Sequence, residues 1–398
     1  MSDEVVVLNG ARTPFGEFCG GLKAQTATEL GVAAANEAIK RCEIKKEWIE
    51  QVVFGNVMQT SGDAIYLARH VGLKCGLPQA VPALTVNRLC GSGLEALISG
   101  ARLIRSGEAE FVLVGGTENM SQAPHVIRGA RWGLDLGKGQ MEDSLWVALV
   151  DSYNNLGMAN TAENLAERYK ISREACDEFA YTSQTRAANA QKKCYFSEEI
   201  VPVEIKSRKG DVSQIDKDEH IRPDISMEGL AKLKAVFKKD GTVTAGTASG
   251  INDGAAALVL TSKAKAKELD LPYLGKVVAW CAVGVDPDVM GIGPADAIRV
   301  LLKKARLNKE DIDLFEINEA FAAQYLAVEK ELELPRERTN VNGGAIALGH
   351  PLAASGARLS LTLLMQMKRQ KARFGIASLC IGGGQGIACL FEREKDAE

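Results

Sequence analysis

Four residues in unusual settings carry the chemical interest of this chain: two cysteines, a histidine and an asparagine. Cys90 lies in residues 86–100, VNRLCGSGLEALISG, after a short β-like run and before a pattern in which Leu94, Leu97, Ile98, Ala101 and Ile104 recur at helical spacing. A cysteine at a helix N-terminus meets free N–H groups and the positive end of the helix dipole, both favouring a thiolate, while Gly91 and Gly93 allow close approach of backbone or ligand. The expected chemistry is nucleophilic attack, although an ordinary buried cysteine fits this segment alone at least as well. Of the four histidines, His70, His125, His220 and His350, only His350 is ringed by glycines (Gly343, Gly344, Gly349, Gly356) at a strand-to-helix turn suited to a general base. A satisfied structural histidine is the competing reading. Cys380, in SLCIGGGQG, ends an apolar run where strand C-termini place reacting groups, or else is core. Asn318, in NEAF, follows another apolar run and would also serve as a plain helix cap.

The elements needed to position these residues occur twice. Residues 5–9 and 49–58 read as strands, residues 28–42 as a helix starting at Thr28 and Glu29, residues 64–75 as a helix before Pro78 and Pro82, and residues 111–116, FVLVGG, as a buried strand. The last part repeats this order: a strand at 276–285, a helix at 295–305 after Pro294, and a strand at 312–317 matching 49–58. Asn340-Val341-Asn342 then echoes Thr85-Val86-Asn87, and 374–380 parallels FVLVGG. His350 stands in the second half where Cys90 stands in the first. A pseudo-twofold arrangement would bring the two turns face to face, although any two α/β stretches share some likeness.

The expected division is therefore a first half over 1–118, completed by about 250–270, an inserted loop domain over 119–249, and a second half over 271–398. The insertion is richer in polar residues, with helices at 161–169 and 172–193 and a loop at 206–217. Residues 243–254, VTAGTASGINDG, suggest a tight loop lining a ligand, and 255–260 a buried strand. Arg222, Lys232, Lys234, Lys238 and Lys239 would meet phosphates, or simply form a solvated face.

Composition sets the outer bounds. The 398 residues are 46% hydrophobic and 25% charged, with 39 glycines and 6% aromatics, which suits a glycine-rich α/β enzyme. A formal net charge of -3 gives no electrostatic reason for a nucleic-acid or acidic-membrane partner, so anionic ligands need a local basic patch. Nine scattered cysteines without CxxC pairs or Cys/His clusters indicate neither a disulfide framework nor a zinc site. A reducing compartment follows. With an acidic start that enters a strand at once and no transmembrane run, the cytoplasm is expected, or the mitochondrial matrix in a eukaryote.

Taken together, NRLCGSG, GGTENMSQAP (115–124), GTVTAGTASGINDGAA (241–256), NEAF, NGGAIALGHP (342–351) and CIGGGQG (380–386) resemble the thiolase family in order and over essentially the whole chain. DAIYLARHVGL (63–73) and MGIGP (290–294) are most similar to its 3-ketoacyl-CoA thiolases. The resemblance implies a five-layer αβαβα fold of two duplicated halves with an inserted loop domain. It also implies reversible cleavage of 3-oxoacyl-CoA by CoA, with CoA and acyl-CoA as substrates and neither metal nor tightly bound cofactor. Carried over, Cys90 is the acylated nucleophile, His350 takes its proton, and Cys380 exchanges the α-proton of acetyl-CoA. The N–H groups of Cys90 and Gly382 form one oxyanion site, and His350 with a water held by Asn318 the other. For CoA the likeness points to Arg222, Ser249, Ala245, Leu149, Met158 and Phe237, with Met290, Ala320 and Phe321 at the reacting end. A homodimer or homotetramer is the family's habit.

Three departures bear on this. Ala353 replaces the usual glycine after His-Pro-x, and would disturb the His350 turn if that position required a glycine-only conformation. Thr247 replaces a usual asparagine. Gly157 and Ala159 flank Met158 where acetoacetyl-CoA enzymes carry His-Met-Gly, which argues against, without excluding, an acetoacetyl-CoA-preferring acetyltransferase. A decarboxylating ketoacyl synthase is disfavoured by Cys380 and by the lack of a second glycine-turn histidine. A non-catalytic thiolase-like CoA or lipid carrier is disfavoured by the intact catalytic set.

Overall fold

The computed structural model describes residues 4–206 and 210–394. Nine strands form one continuous sheet in which two similar sets meet edge to edge, with a tenth, Gly16–Glu17, paired onto the start of Asn252–Ser262. In the first set the order is Ala83–Val86, Gln51–Gly55, Phe111–Asn119, Asn252–Ser262, Val5–Arg12. In the second it is Leu314–Ile317, Phe374–Ile381, Gln385–Glu392, Gly275–Gly284. The seam is a three-residue antiparallel pairing in which Val5, Val6 and Val7 face Val277, Lys276 and Gly275.

The second-set counterpart of strand Ala83–Val86 is only a single bridge, Thr339 to Phe315. Asn340, echoing Val86's neighbourhood, instead turns left-handed (φ 47°) and pairs through its side chain, which accepts from Ile317 N and donates to Ile317 O, both at 2.8 Å. An amide side chain thus replaces the ladder contacts of a strand residue.

Two helices lie between the sets. Ser92–Arg105 and Leu352–Gln370 share one hydrophobic core with both, including Val5, Leu97, Val114, Leu258, Leu361, Leu379 and Ile387. Residues 352–367 are buried on every side, as an apolar helix in a middle layer must be. The helices cross at glycines: a Cβ on Gly93 would stand 2.4 Å from Ala353 O, and one on Gly356 2.3 Å from Leu94 N. Ala27–Arg41 covers the outer face of the first set, and Gly293–Ala305 that of the second, each with its own core. The layers are αβαβα, the fold expected from the resemblance.

Several element ends differ from the sequence reading. The first helix starts at Ala27, capped by Thr26, whose Oγ1 accepts from Glu29 N while Glu29 accepts from Thr26 N; Thr28 is buried instead. That capping box contributes about 1 kcal/mol. Pro294 sits inside the first turn of Gly293–Ala305, where its missing N–H costs nothing. Strand Asn252–Ser262 begins inside the segment expected to be a loop, because Asn252 and Asp253 pair with Glu17 and Gly16. Part of the expected loop at 206–217 is a hairpin of Val203–Lys206 with Val212–Ile215; residues 207–209 lie outside the described residues.

The segment after Asn119 is bound to the first strand through charge. Arg12, fully buried, makes ion pairs with Glu199 (3.0 Å) and Asp218 (2.7 Å), and its backbone pairs with Glu199 and Val201.

Candidate active site

Cys90 follows Leu89, a non-glycine residue held at φ 46°. The turn is over-determined: Asn87 Oδ1 accepts from Leu89 N (2.9 Å), Ser92 Oγ accepts from Arg88 N (2.9 Å), and Ser92 Oγ donates to Leu89 O (2.6 Å). Such a network sustains a strained residue. The sulfur faces two backbone donors, the N–H of Gly382 and that of Cys90 itself.

The thiolate expected from the helix N-terminus is not the resting state. Burial pushes the Cys90 thiol up to about 11; the two N–H groups pull it down, and the carboxylate of Glu118 adds to the rise. Desolvation outweighs the helix dipole here. Cys90 is a neutral thiol at rest.

His350 follows Gly349, whose φ of 96° only glycine adopts readily, and stands two residues before helix Leu352–Gln370. Its backbone N–H donates to Asn252 Oδ1 (3.2 Å). Nδ1 lies 2.6 Å from Ser355 Oγ, and Ser355 donates its hydroxyl proton to Pro351 O (2.9 Å). Nδ1 therefore carries the ring proton, and Nε2 is the acceptor, 3.3 Å from Asn318 Nδ2. Burial first, and Arg358 second, pull the imidazole down to about 3, so it too is neutral at rest.

Asn318 leaves strand Leu314–Ile317 with no exposure, its N–H bonded to Ser378 O. Its Oδ1 is buried and, among the described residues, has no hydrogen-bond partner. The helix that follows begins at Ala322, so Asn318 is not its cap. Glu319 accepts from Ser183 Oγ (2.6 Å), Asn340 Nδ2 (2.8 Å) and Ile346 N (3.2 Å), tying this loop to the His350 turn.

Cys380 is buried at the end of strand Phe374–Ile381, packed with Met290, Ala320, Met158 and Phe321. Burial raises its thiol far above the ordinary range, and the nearby Cys90 adds to that. Met158 reaches Gly382, its Sδ 3.2 Å from where a Cβ there would stand. Leu149 packs with Cys90, Val57, Met58, Met120, Leu145, Ile251 and Leu352 in an all-apolar cluster. Leu352 comes from the helix just past His350.

Of the expected CoA contacts, Arg222 and Ala245 line a cavity of about 740 Å³ with His220, Ser226, Leu230 and Gly246. Arg222 is paired with Glu17, a solvent-accessible ion pair that a phosphate group can replace at little cost. Ser249 donates its N–H to Ala320 O (2.9 Å), joining the 244–249 turn to the Cys380 cluster. Phe237 is half-exposed and is not part of that cavity lining. Ala353 sits in ordinary helix, so no glycine-only conformation is needed there. Thr247 is buried, accepting from Thr244 N and donating to Thr242 O, both 2.8 Å. Among the described residues no group of three or more His, Cys, Asp or Glu is placed to share a metal ion, and no helix is long and apolar enough to cross a membrane.

Sequence reading missed Asn252, Glu319 and Glu118, buried polar residues inside motifs already singled out, and Ser355, buried just past the NGGAIALGHP motif. Their signal was polarity amid apolar or glycine runs, where a buried polar group must have partners.

Known proteins resemble the chain over both halves. Residues 5–264 match the family model "Thiolase, N-terminal domain" and residues 271–393 "Thiolase, C-terminal domain". The chain belongs to the thiolase family. It is 51% identical over 389 residues to human mitochondrial 3-ketoacyl-CoA thiolase, covering 98% of each chain. It is 49% identical over 392 residues to the acetyl-CoA acetyltransferase of Cupriavidus necator, covering 98% of this chain and all of that one. The crystal structure of the human thiolase in complex with CoA superposes with a TM-score of 0.96 at 50% identity, covering 98% of both chains.

Proposed function

We propose that this thiolase cleaves 3-oxoacyl-CoA with CoA, reversibly, through an acyl group carried on Cys90. The observation that carries this reading is the setting of the Cys90 sulfur, beside Cys380 and facing the N–H groups of Gly382 and Cys90. A carbonyl oxygen on the carbon attacked by this sulfur would take those two donors as it gains charge.

In cleavage, Cys90 sulfur attacks the 3-oxo carbon while its proton passes to Nε2 of His350. The bond between C2 and C3 breaks, leaving an acyl thioester on Cys90 and an acetyl-CoA enolate, which takes the proton of Cys380. A water hydrogen-bonded to Asn318, together with His350, steadies the enolate oxygen. A second CoA thiol then attacks the acyl group and gives its proton to the Cys380 thiolate, while the departing Cys90 sulfur recovers its own from His350. Neutral thiol and neutral imidazole exchange a proton only as carbon–sulfur bonds form or break, so no charged pair has to be held in the buried site at rest.

CoA would enter along the insertion, with Arg222 near the nucleotide, Ala245 and Ser249 along the pantetheine, and Met158, Met290, Ala320 and Phe321 at the reacting end. Phe237 would join them from the rim. Residues 119–249 act here as a CoA-binding insertion between two thiolase halves. These steps need no tightly bound cofactor. Self-association as a dimer or tetramer is supported by the unpaired edge strand Ala83–Val86, with Leu84 exposed, and by exposed Trp132, Leu136, Met141 and Trp146. Nine free cysteines suit a reducing compartment, the cytoplasm or a mitochondrial matrix.

The near-equal identity to an acetyl-CoA acetyltransferase favours one second reading, a preference for acetoacetyl-CoA. Initial rates of CoA-dependent cleavage over a chain-length series of 3-oxoacyl-CoA test both. Cleavage across several lengths is expected; activity with acetoacetyl-CoA alone supports the second reading, and condensation only with malonyl thioesters contradicts both.

A further inference from the structure

One buried titratable group stands outside the steps above. Glu118 is fully buried near the end of strand Phe111–Asn119, and both of its oxygens are occupied. Oε1 accepts from Asn56 Nδ2 (3.1 Å) and Met58 N (2.9 Å), and Oε2 from Val57 N (3.1 Å) and Ala353 N (3.1 Å). Four N–H donors leave a carboxylic proton no acceptor, so these contacts are made for the ionised form. Burial acts against it and pushes the carboxyl up to about 7, with Asp253 adding repulsion. Above that pH the group is a carboxylate.

Its three attachments belong to different parts of the site. Val57 and Met58 are walls of the apolar cluster that holds Cys90. Ala353 is the second residue of the helix after His350, so the negative charge lies at that helix's positive end. Asn56 directly follows strand Gln51–Gly55. The charge also reaches Cys90, where it disfavours the thiolate.

Strand register gives this placement a meaning. Gly55 lies opposite Gly116, and Ile317 opposite Ser378. One residue beyond Gly55 and Ile317 come Asn56 and Asn318; two beyond Gly116 and Ser378 come Glu118 and Cys380. The halves thus carry matching sets, Asn56, Cys90 and Glu118 against Asn318, His350 and Cys380. In the second set the asparagine contacts the turn histidine, while in the first it contacts the glutamate.

We infer that Glu118 is a positioning residue for thiolysis: its carboxylate holds residues 57–58 and the His350 turn in one frame around Cys90, from the first-half position that Cys380 occupies in the second. This rests on Cys90 as the acylated residue.

Glu118→Gln keeps the shape, removes the charge, and turns an amide NH2 toward an N–H donor. With folding verified by thermal melt, kcat for thiolysis should fall about a hundredfold, the scale of a misplacement near 1 Å, while KM for CoA stays close to wild type. The pH curve for alkylation of Cys90 by iodoacetamide should move to lower pH, because a negative neighbour is gone. Glu118→Asp should restore that curve but not kcat. A folded Glu118→Gln enzyme with wild-type kcat, or with an unmoved alkylation curve, overturns the proposal. Should it fail to fold, Asn56→Ala, which loosens the clamp and leaves the carboxylate, must lower kcat; unchanged kcat overturns the proposal. A wild-type enzyme that forms no acyl-Cys90 would overturn the thiolase mechanism itself, a separate outcome.

Discussion

Cys90 and His350 combine opposite displacements, the thiol up to about 11 and the imidazole down to about 3. Alkylation of Cys90 in the free enzyme should therefore be slow at neutral pH and climb steadily into the alkaline range, with no plateau. A plateau beginning near pH 6, as a preformed thiolate–imidazolium pair gives, would contradict the neutral-pair description. The same burial makes His350 an acid-sensitive element of the fold. An unfolded histidine titrates near pH 6.5, so between about 3 and 6.5 the unfolded chain binds a proton that the native site refuses. The stability linked to this histidine is present above that window and lost as pH falls through it. Thermal melts should show wild type losing stability more steeply than His350→Asn as pH drops from 6.5 to 4; parallel curves would show that His350 is not the group responsible.

At the scale of elements, the helices that follow Cys90 and His350 approach through glycine. Adding a methyl at Gly93 would place it 2.4 Å from Ala353 O and 2.7 Å from Ala357 N, pressing the Cys90 helix away from the His350 helix. Gly93→Ala should cost about 1–3 kcal/mol of stability as an overpacked core position, together with much of the turnover, read by denaturant unfolding and thiolysis rate. A wild-type rate would mean that the crossing has slack. Helical spacing exposed the helix after Cys90 because its apolar residues recur regularly, whereas the helix after His350, buried on every side, was read only from the glycine-rich turn before it. The close crossing was not legible, since a glycine in a sequence does not say what it lets approach. Nor did the sequence reveal that Asn340 pairs through its side chain, because the motif looks the same whether backbone or amide makes the ladder bonds.

For the whole molecule, the duplication was legible because each half repeats the same order of strands and turns, and that repetition puts Cys90 and His350 at corresponding turns of the two halves. The charge state was not, because desolvation depends on everything packed around Cys90 rather than on its neighbours in the chain. Nor were the ties across the molecule: Asn252 and Glu118, from the first half, hold the turn of His350 in the second. The surface adds a separate expectation. Leu136 is fully exposed and Trp132 is 84% exposed on the segment after Asn119. Leu136→Asp should lower the assembly state in sedimentation velocity without unfolding the chain, and an unchanged sedimentation profile would remove this segment from the proposed interface.

Mass spectrometry of the enzyme quenched soon after mixing with a 3-oxoacyl-CoA, CoA being withheld, addresses the mechanism most directly. The expected result is an acyl adduct on the Cys90 peptide that disappears when CoA is added and is absent in Cys90→Ala. An adduct on Cys380 instead, or steady turnover by Cys90→Ala, would contradict the assignment of Cys90 as the nucleophile.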